Sequence, residues 1–171
     1  MTRRPVADAD VLPNAKRREG SSAGGTVGGK GERVLEVAGG DEMSAFTVQM
    51  EDRPGELARL CAAMAARKIN IVLSAIGRGG SGWVAFVVDD EGGARTALGD
   101  AGIEFTERPA LTLRMENVAG AGAESFRRLA EAGVNVDVLL PVQVSREEFF
   151  AVVCVDDLQA ARAALAEQVV D

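Results

Sequence analysis

Two stretches of this chain answer each other at fixed spacing, and that repetition restricts the available folds more than any other feature. Glu51-Asp52-Arg53-Pro54-Gly55 is matched by Glu116-Asn117-Val118-Ala119-Gly120, and each glycine is followed fifteen residues later by an asparagine, Asn70 or Asn135. Residues 83–90 (WVAFVVDD) are matched by 150–157 (FAVVCVDD), and residues 94–98 (ARTAL) by 161–165 (ARAAL). Several anchors recurring in one order indicate a duplicated structural unit.

The first copy can be read element by element. Residues 45–50 alternate as a strand does. Pro54 presets φ for a first helical position, where its missing N–H costs nothing. Asp52 is placed to accept backbone N–H groups of the first turn, and Gly55, lacking Cβ, admits close approach to the backbone. Leu57, Leu60, Cys61 and Met64 form one helical stripe, with the helix ending near Lys68. Residues 69–76 are β-rich, the glycine cluster 77–82 with Arg78 reads as a hairpin loop, and 83–88 as a buried strand. Asp89-Asp90 ends that strand and can cap a helix over 93–101. Gly102 closes the helix, and 103–107 supplies a fourth strand. The order β-α-β-β-α-β is the ferredoxin-like arrangement.

The second copy follows with a strand at 110–115, a helix at 124–132 presenting Ser125, Phe126 and Leu129, and strands at 134–140 and 150–157. After its last helix only Val169-Val170-Asp171 remain. This unit is therefore expected to lack a full last strand, leaving a short or covered sheet edge. Pro109 marks a join with almost no linker, so the units, 44–108 and 109–171, should pack directly on each other. The expected class is α+β: two tandem ferredoxin-like units with antiparallel sheets.

Residues 1–43 are different: rich in Gly, Ser, Arg and Asp, and without sustained period. A stretch such as SSAGGTVGGKG cannot bury enough apolar surface to offset its ordering entropy, and the segment reads as a disordered tail. Its seven basic and seven acidic residues cancel, so the net charge of −7 belongs to the remainder. Ala38-Gly39-Gly40 can be encoded by a purine-rich stretch resembling a bacterial ribosome-binding site. Two readings of the tail stay open: a native start at Met43, or ordinary linker composition.

Composition excludes several functions. The chain has no His, the commonest general base and metal ligand near neutral pH. Its two cysteines, Cys61 and Cys154, sit in apolar runs without C-x-x-C spacing, which fits reduced buried thiols in a cytoplasmic protein. No apolar run approaches a membrane span, and net acidity disfavours a nucleic-acid backbone as partner. Arg78 among glycines lacks Walker spacing and a following helix, so a plain hairpin is the simpler reading. Asp89, Asp90, Asp156 and Asp157 read as helix caps rather than cation ligands. Trp83 reads as a core or interface anchor.

The strand, Asp52-Arg53-Pro54-Gly55, helix, Ile69-Asn70, strand pattern resembles the ACT domain, a small amino-acid-binding regulatory module. The tandem arrangement is similar to stand-alone two-ACT bacterial proteins without a catalytic domain. The first copy carries the stronger match, because Val118-Ala119 replaces Arg-Pro in the second and Gly122 stands where Leu57 would. The resemblance implies an amino acid held between paired units. Its contacts would be Asp52, Arg53, Gly55 and Asn70 in the first copy, and Asn117, Gly120 and Asn135 in the second. It also implies a homodimer through ACT–ACT sheet or helix pairing and a metabolic-enzyme partner; no cofactor, metal, nucleic acid or membrane is expected.

The expected function is a non-catalytic amino-acid sensor. The alternative is a regulatory subunit of an amino-acid-metabolism enzyme, acting through protein contacts without its own ligand. An acylphosphatase-like enzyme needs an arginine and glycine-rich phosphate loop facing an asparagine, and that spacing is absent. An RNA-binding module needs exposed aromatics on a basic face, whereas these strands are aliphatic and the charge is acidic.

Overall fold

The computed structural model describes residues 43–170. The readings of residues 1–42 as a tail or an over-long start lie outside the described residues. The elements, in chain order, are β1 (Met43–Glu51), α1 (Glu56–Ala66), β2 (Ile71–Arg78), β3 (Ser81–Val88), α2 (Glu91–Asp100) and β4 (Thr106–Glu116). They continue with α3 (Ala121–Glu131), β5 (Val136–Val144), β6 (Glu148–Val155), α4 (Leu158–Ala164) and β7 (Val169–Val170). The fold is α+β with antiparallel strands in the order β2-β3-β1-β4-β6-β5, and β7 pairs with β4.

The expected strands 103–107 and 110–115 are one. β4 is continuous through Pro109, pairing with β1 over residues 106–110 and with β6 over 111–116. Proline is tolerated there because β6 joins only from Leu111, so β4 at residue 109 still has an unpaired edge. One strand thus closes the first βαββαβ set and opens the second. β7 pairs with Thr112 and Leu113, the residues that β6 holds from the opposite edge. On the β7 edge Met43 already stands opposite Ala110, so only Leu111 separates the two partners. β7 itself is two residues long.

Strand alternation divides the apolar residues among three cores. Phe46, Val48, Val84 and Phe86 face α1 and α2, meeting Leu60, Met64, Ala94 and Leu98. Leu111, Leu113, Met115 and Val153 face α3 and α4, meeting Leu129, Ala161 and Leu165. The opposite faces of the two sheets meet each other through Ala45, Val87, Ala110, Leu140, Val152 and Cys154. The layers are therefore helices, sheet, sheet, helices, hinged at β4. The Arg108 guanidinium pairs with Asp137 at 2.6 Å, linking β4 to β5. Burial holds the Cys154 thiol up at about 11, so it is neutral near pH 7.

Local differences from the sequence reading have identifiable reasons. The expected loop 77–82 shrinks to a two-residue turn, because Gly79 and Gly80 both take positive φ (65° and 86°), as a type I′ hairpin requires. Leu57 leaves the helical stripe and is 39% exposed. Trp83 is 52% exposed and belongs to none of the three cores.

Candidate functional site

The two glycine turns have nearly the same backbone. Gly55 lies at φ 102°, ψ −22° and Gly120 at φ 98°, ψ −17°, and each is the N-cap of an eleven-residue helix. A Cβ at either position would meet nothing within 4 Å, so the left-handed φ, rather than close packing, demands glycine. No side chain caps either helix. By contrast, Asp90 caps α2 by accepting the Gly93 N–H at 2.8 Å, and Asp157 caps α4 by accepting the Ala160 N–H at 2.9 Å. The helices following β3 and β6 satisfy their own first turns, while α1 and α3 present N–H groups and a positive dipole end to the outside.

Asp52 is not the cap that its sequence position suggests. Its backbone N–H donates to the Gly80 carbonyl at 3.1 Å, and its carboxylate lies where a Cβ on Gly77 would fall. Asn117 does the same with different chemistry. Its N–H donates to the Glu147 carbonyl at 2.8 Å and its Nδ2 to the Ser145 carbonyl at 2.6 Å. Both side chains are directed to the hairpin beside the turn. Arg53 folds back on Glu51 and Glu56, at 2.8 Å and 2.7 Å. That bonding holds the Glu56 carboxyl below the usual carboxylate range, Arg53 being the main cause.

The asparagines have a shared backbone role. The Asn70 N–H donates to Asp89 Oδ1 at 2.9 Å and the Asn135 N–H to Asp156 Oδ1 at 2.8 Å. Their side-chain amides donate to Asp89 and Asp137 respectively. In each Asp-Asp pair, therefore, the first residue clamps the asparagine and the second caps the helix.

Register fixes where these groups stand. β1 and β2 both run antiparallel to β3, so they are parallel to each other. Gly55 follows the end of β1 and Asn70 precedes the start of β2, with the length of α1 between them: eleven residues, about 16 Å. Gly120 and Asn135 are separated by α3 in the same way. Both asparagines lie near the bend in β4, and both turns lie away from it. Within one unit, then, the glycine turn and the asparagine are not brought together.

Beside the Gly120 turn is a concavity of about 390 Å³, which the sequence reading did not anticipate. Its lining includes Arg114, Glu116, Ala121, Glu124, Glu148 and Gln168. Gln168 Oε1 is buried there without a hydrogen-bond partner. Arg114 Nε stands 3.8 Å from Glu148, a loose pairing that leaves the guanidinium able to receive a carboxylate. Arg114, Glu116, Ala121 and Glu124 are near one another in sequence, whereas Glu148 and Gln168 come from later elements, Gln168 through its carbonyl, which accepts the Arg114 backbone N–H at 2.7 Å.

Comparison with known proteins places these elements. The family model of the ACT domain matches residues 44–103. Among curated proteins, none matches the chain. A solved structure of a Bacteroides thetaiotaomicron protein is similar in fold, with TM-score 0.67 at 19% identity, covering 75% of this chain and 91% of that one. The regulatory subunit of aspartate kinase from Thermus thermophilus, in its ligand-free form, gives TM-score 0.57 at 20% identity over 75% and 92% of the two chains. That from Thermus flavus gives 0.51 at 21% identity over 74% and 93%. At these identities the likeness is one of fold.

Proposed function

We propose that this chain is a non-catalytic regulatory protein that senses an amino acid through two ACT-like units, 44–108 and 109–171, sharing β4. One observation carries the reading: among the described residues, two of four helices cap themselves with aspartate, and the two left uncapped are those that follow the paired glycine turns. An uncapped helix start suits the α-carboxylate of an amino acid. The match of residues 44–103 to a family of amino-acid-binding modules, and the fold shared with regulatory subunits of aspartate kinase, support the same reading.

The contact positions proposed are Asp52, Arg53, Gly55 and Asn70, with Asn117, Gly120 and Asn135. Because each turn lies a helix length from its own asparagine, one small ligand reaches both kinds of group only between units of different copies. The turn amides then hold the carboxylate. At the second turn, Arg114 adds a cation for that carboxylate, and Glu116 and Glu148 suit the ammonium group, Glu124 being held by Arg127 at 2.7 Å. Binding there biases packing between copies and so the contact with a partner enzyme. The alternative, a regulatory subunit without its own ligand, draws on the internal engagement of Asp52, Arg53 and Asn117 side chains.

A thermal-shift screen of the full chain against the twenty amino acids separates the two. A ligand at 100 times its dissociation constant adds roughly 2.7 kcal/mol, several degrees in Tm. Arg114→Ala, at an exposed position, should diminish that shift. No shift with any amino acid would overturn the sensor reading in favour of the ligandless one.

A further inference from the structure

The two glycine turns share a backbone but differ in charge. The repeat sets Arg53 against Val118 and Glu56 against Ala121. At the first turn Arg53 and Glu56 join across Gly55 at 2.7 Å, and Arg59 holds the same side chain at 3.3 Å. Glu56 is the first residue of α1, and its side chain is only 13% exposed. The positive end of α1 therefore already has a carboxylate beside it. The start of α3 has no such group. It reads Ala121-Gly122-Ala123, with no side chain longer than a methyl. The one acid of its first turn, Glu124, is drawn onward along the helix to Arg127 at 2.7 Å.

We propose that the second turn, at Gly120, is the primary ligand site and that Glu56 makes the first turn the weaker one. The inference rests on the amino-acid reading above and ranks its two sites, in the order opposite to their match with the ACT pattern. Three further observations favour the second turn. The concavity of about 390 Å³ beside it has Ala121 in its wall and is of a size for a small ligand. Arg114 lines the same concavity and is only loosely paired with Glu148, so a carboxylate on the α3 amides also meets a guanidinium. Gln168 Oε1, at the same wall, is the one buried side-chain oxygen among the described residues without a hydrogen bond. An ammonium group in the concavity is a donor toward which it can turn. At the first turn, by contrast, Arg53 is engaged by Glu51 and Glu56, and an arriving carboxylate meets Glu56, like charge against like. The chain thus takes one ligand per copy at low concentration and fills its first turn only at higher concentration.

The test follows backbone amide resonances of the uniformly nitrogen-15-labelled full chain while an equimolar mixture of the twenty amino acids is added. Amides of residues 120–123 should respond with an apparent dissociation constant about tenfold below that of residues 55–58, the scale of one hydrogen bond to a charged group. Arg114→Ala should raise the constant at the second turn about tenfold and leave the first unchanged. Glu56→Gln removes the resident charge and keeps the shape. It should lower the constant at the first turn about threefold, the scale of one charge at a helix end, with resonances of the second unit in place as evidence of an intact fold. A first turn that responds before or together with the second, or one indifferent to Glu56→Gln, would overturn this ranking and leave amino-acid sensing standing. Silence at both turns would overturn the sensing reading and the ranking with it.

Discussion

At the residue scale, Lys68 stands out as the only described non-glycine residue with positive φ, at 60°. It ends α1 as Gly133 ends α3, where φ is 73°. The hydrogen bonds correspond too. Ile69 N–H donates to the Met64 carbonyl at 3.1 Å and Val134 N–H to the Leu129 carbonyl at 2.9 Å, the long closing bond of a Schellman ending. A side chain held left-handed costs about 1–2 kcal/mol, and glycine's extra freedom when unfolded returns about half of that. Lys68→Gly should therefore raise stability by about 0.5–1 kcal/mol in chemical denaturation, whereas Gly133→Lys should lower it. An unchanged midpoint for Lys68→Gly would show that the strain is relieved elsewhere. The difference between Asp52 and Asn117 is also local. An asparagine amide can donate to the Ser145 carbonyl, whereas a carboxylate can only accept, and Gly77 leaves it room.

At the element scale, α2 is tied to the sheet by charge as well as by its apolar face. Arg95 reaches Glu91 one turn back and Glu107 on β4, and the Ser44 N–H donates to Glu91 Oε1 at 2.9 Å. The Arg95 hydrogen bond is the main reason the Glu107 carboxyl is held below its usual range, against the opposing effect of burial. A lowered folded-state value means that the ionised form stabilises. That contribution is present above the unfolded value near pH 4.3 and is lost as pH falls through the lower folded value. Glu107→Gln should cost on the order of 1 kcal/mol at pH 7, discounted for partial exposure, and the gap from the parent chain should close in acid. A gap that persists in acid would assign the loss to packing. Much of this element map is legible in the sequence, because the repeat, the alternation and the Asp-Asp caps are local signals. The single β4 is not, since Pro109 reads as a break until its unpaired edge is seen. The roles of Asp52 and the asparagines are not legible either. Spacing gives distance along the chain, whereas α1 and α3 carry turn and asparagine to opposite ends of a sheet.

At the scale of the whole molecule, β4 and the sheet-to-sheet core make the two βαββαβ sets a single mechanical object. Neither set keeps all its strands if the other unfolds, since residues 106–110 and 111–116 belong to one strand. Leu140 tests this coupling. It is fully buried, and it packs in the core between the sheets rather than in either helix-facing core. Truncation to alanine opens a cavity at that contact while leaving Phe46, Leu60, Leu113 and Leu129 in place. Leu140→Ala should cost about 2–5 kcal/mol, the range for a buried leucine. The loss should appear in one cooperative transition, followed alike by Trp83 emission from the first sheet and by circular dichroism from both. Two separated transitions in the parent chain would show that the sets fold independently and that β4 is a tether. If instead the transitions coincide in the parent and separate only in Leu140→Ala, the core between the sheets, more than the shared strand, carries the cooperativity. Ligand-induced bias at either turn would then reach the other set through Leu140, Val152 and Cys154.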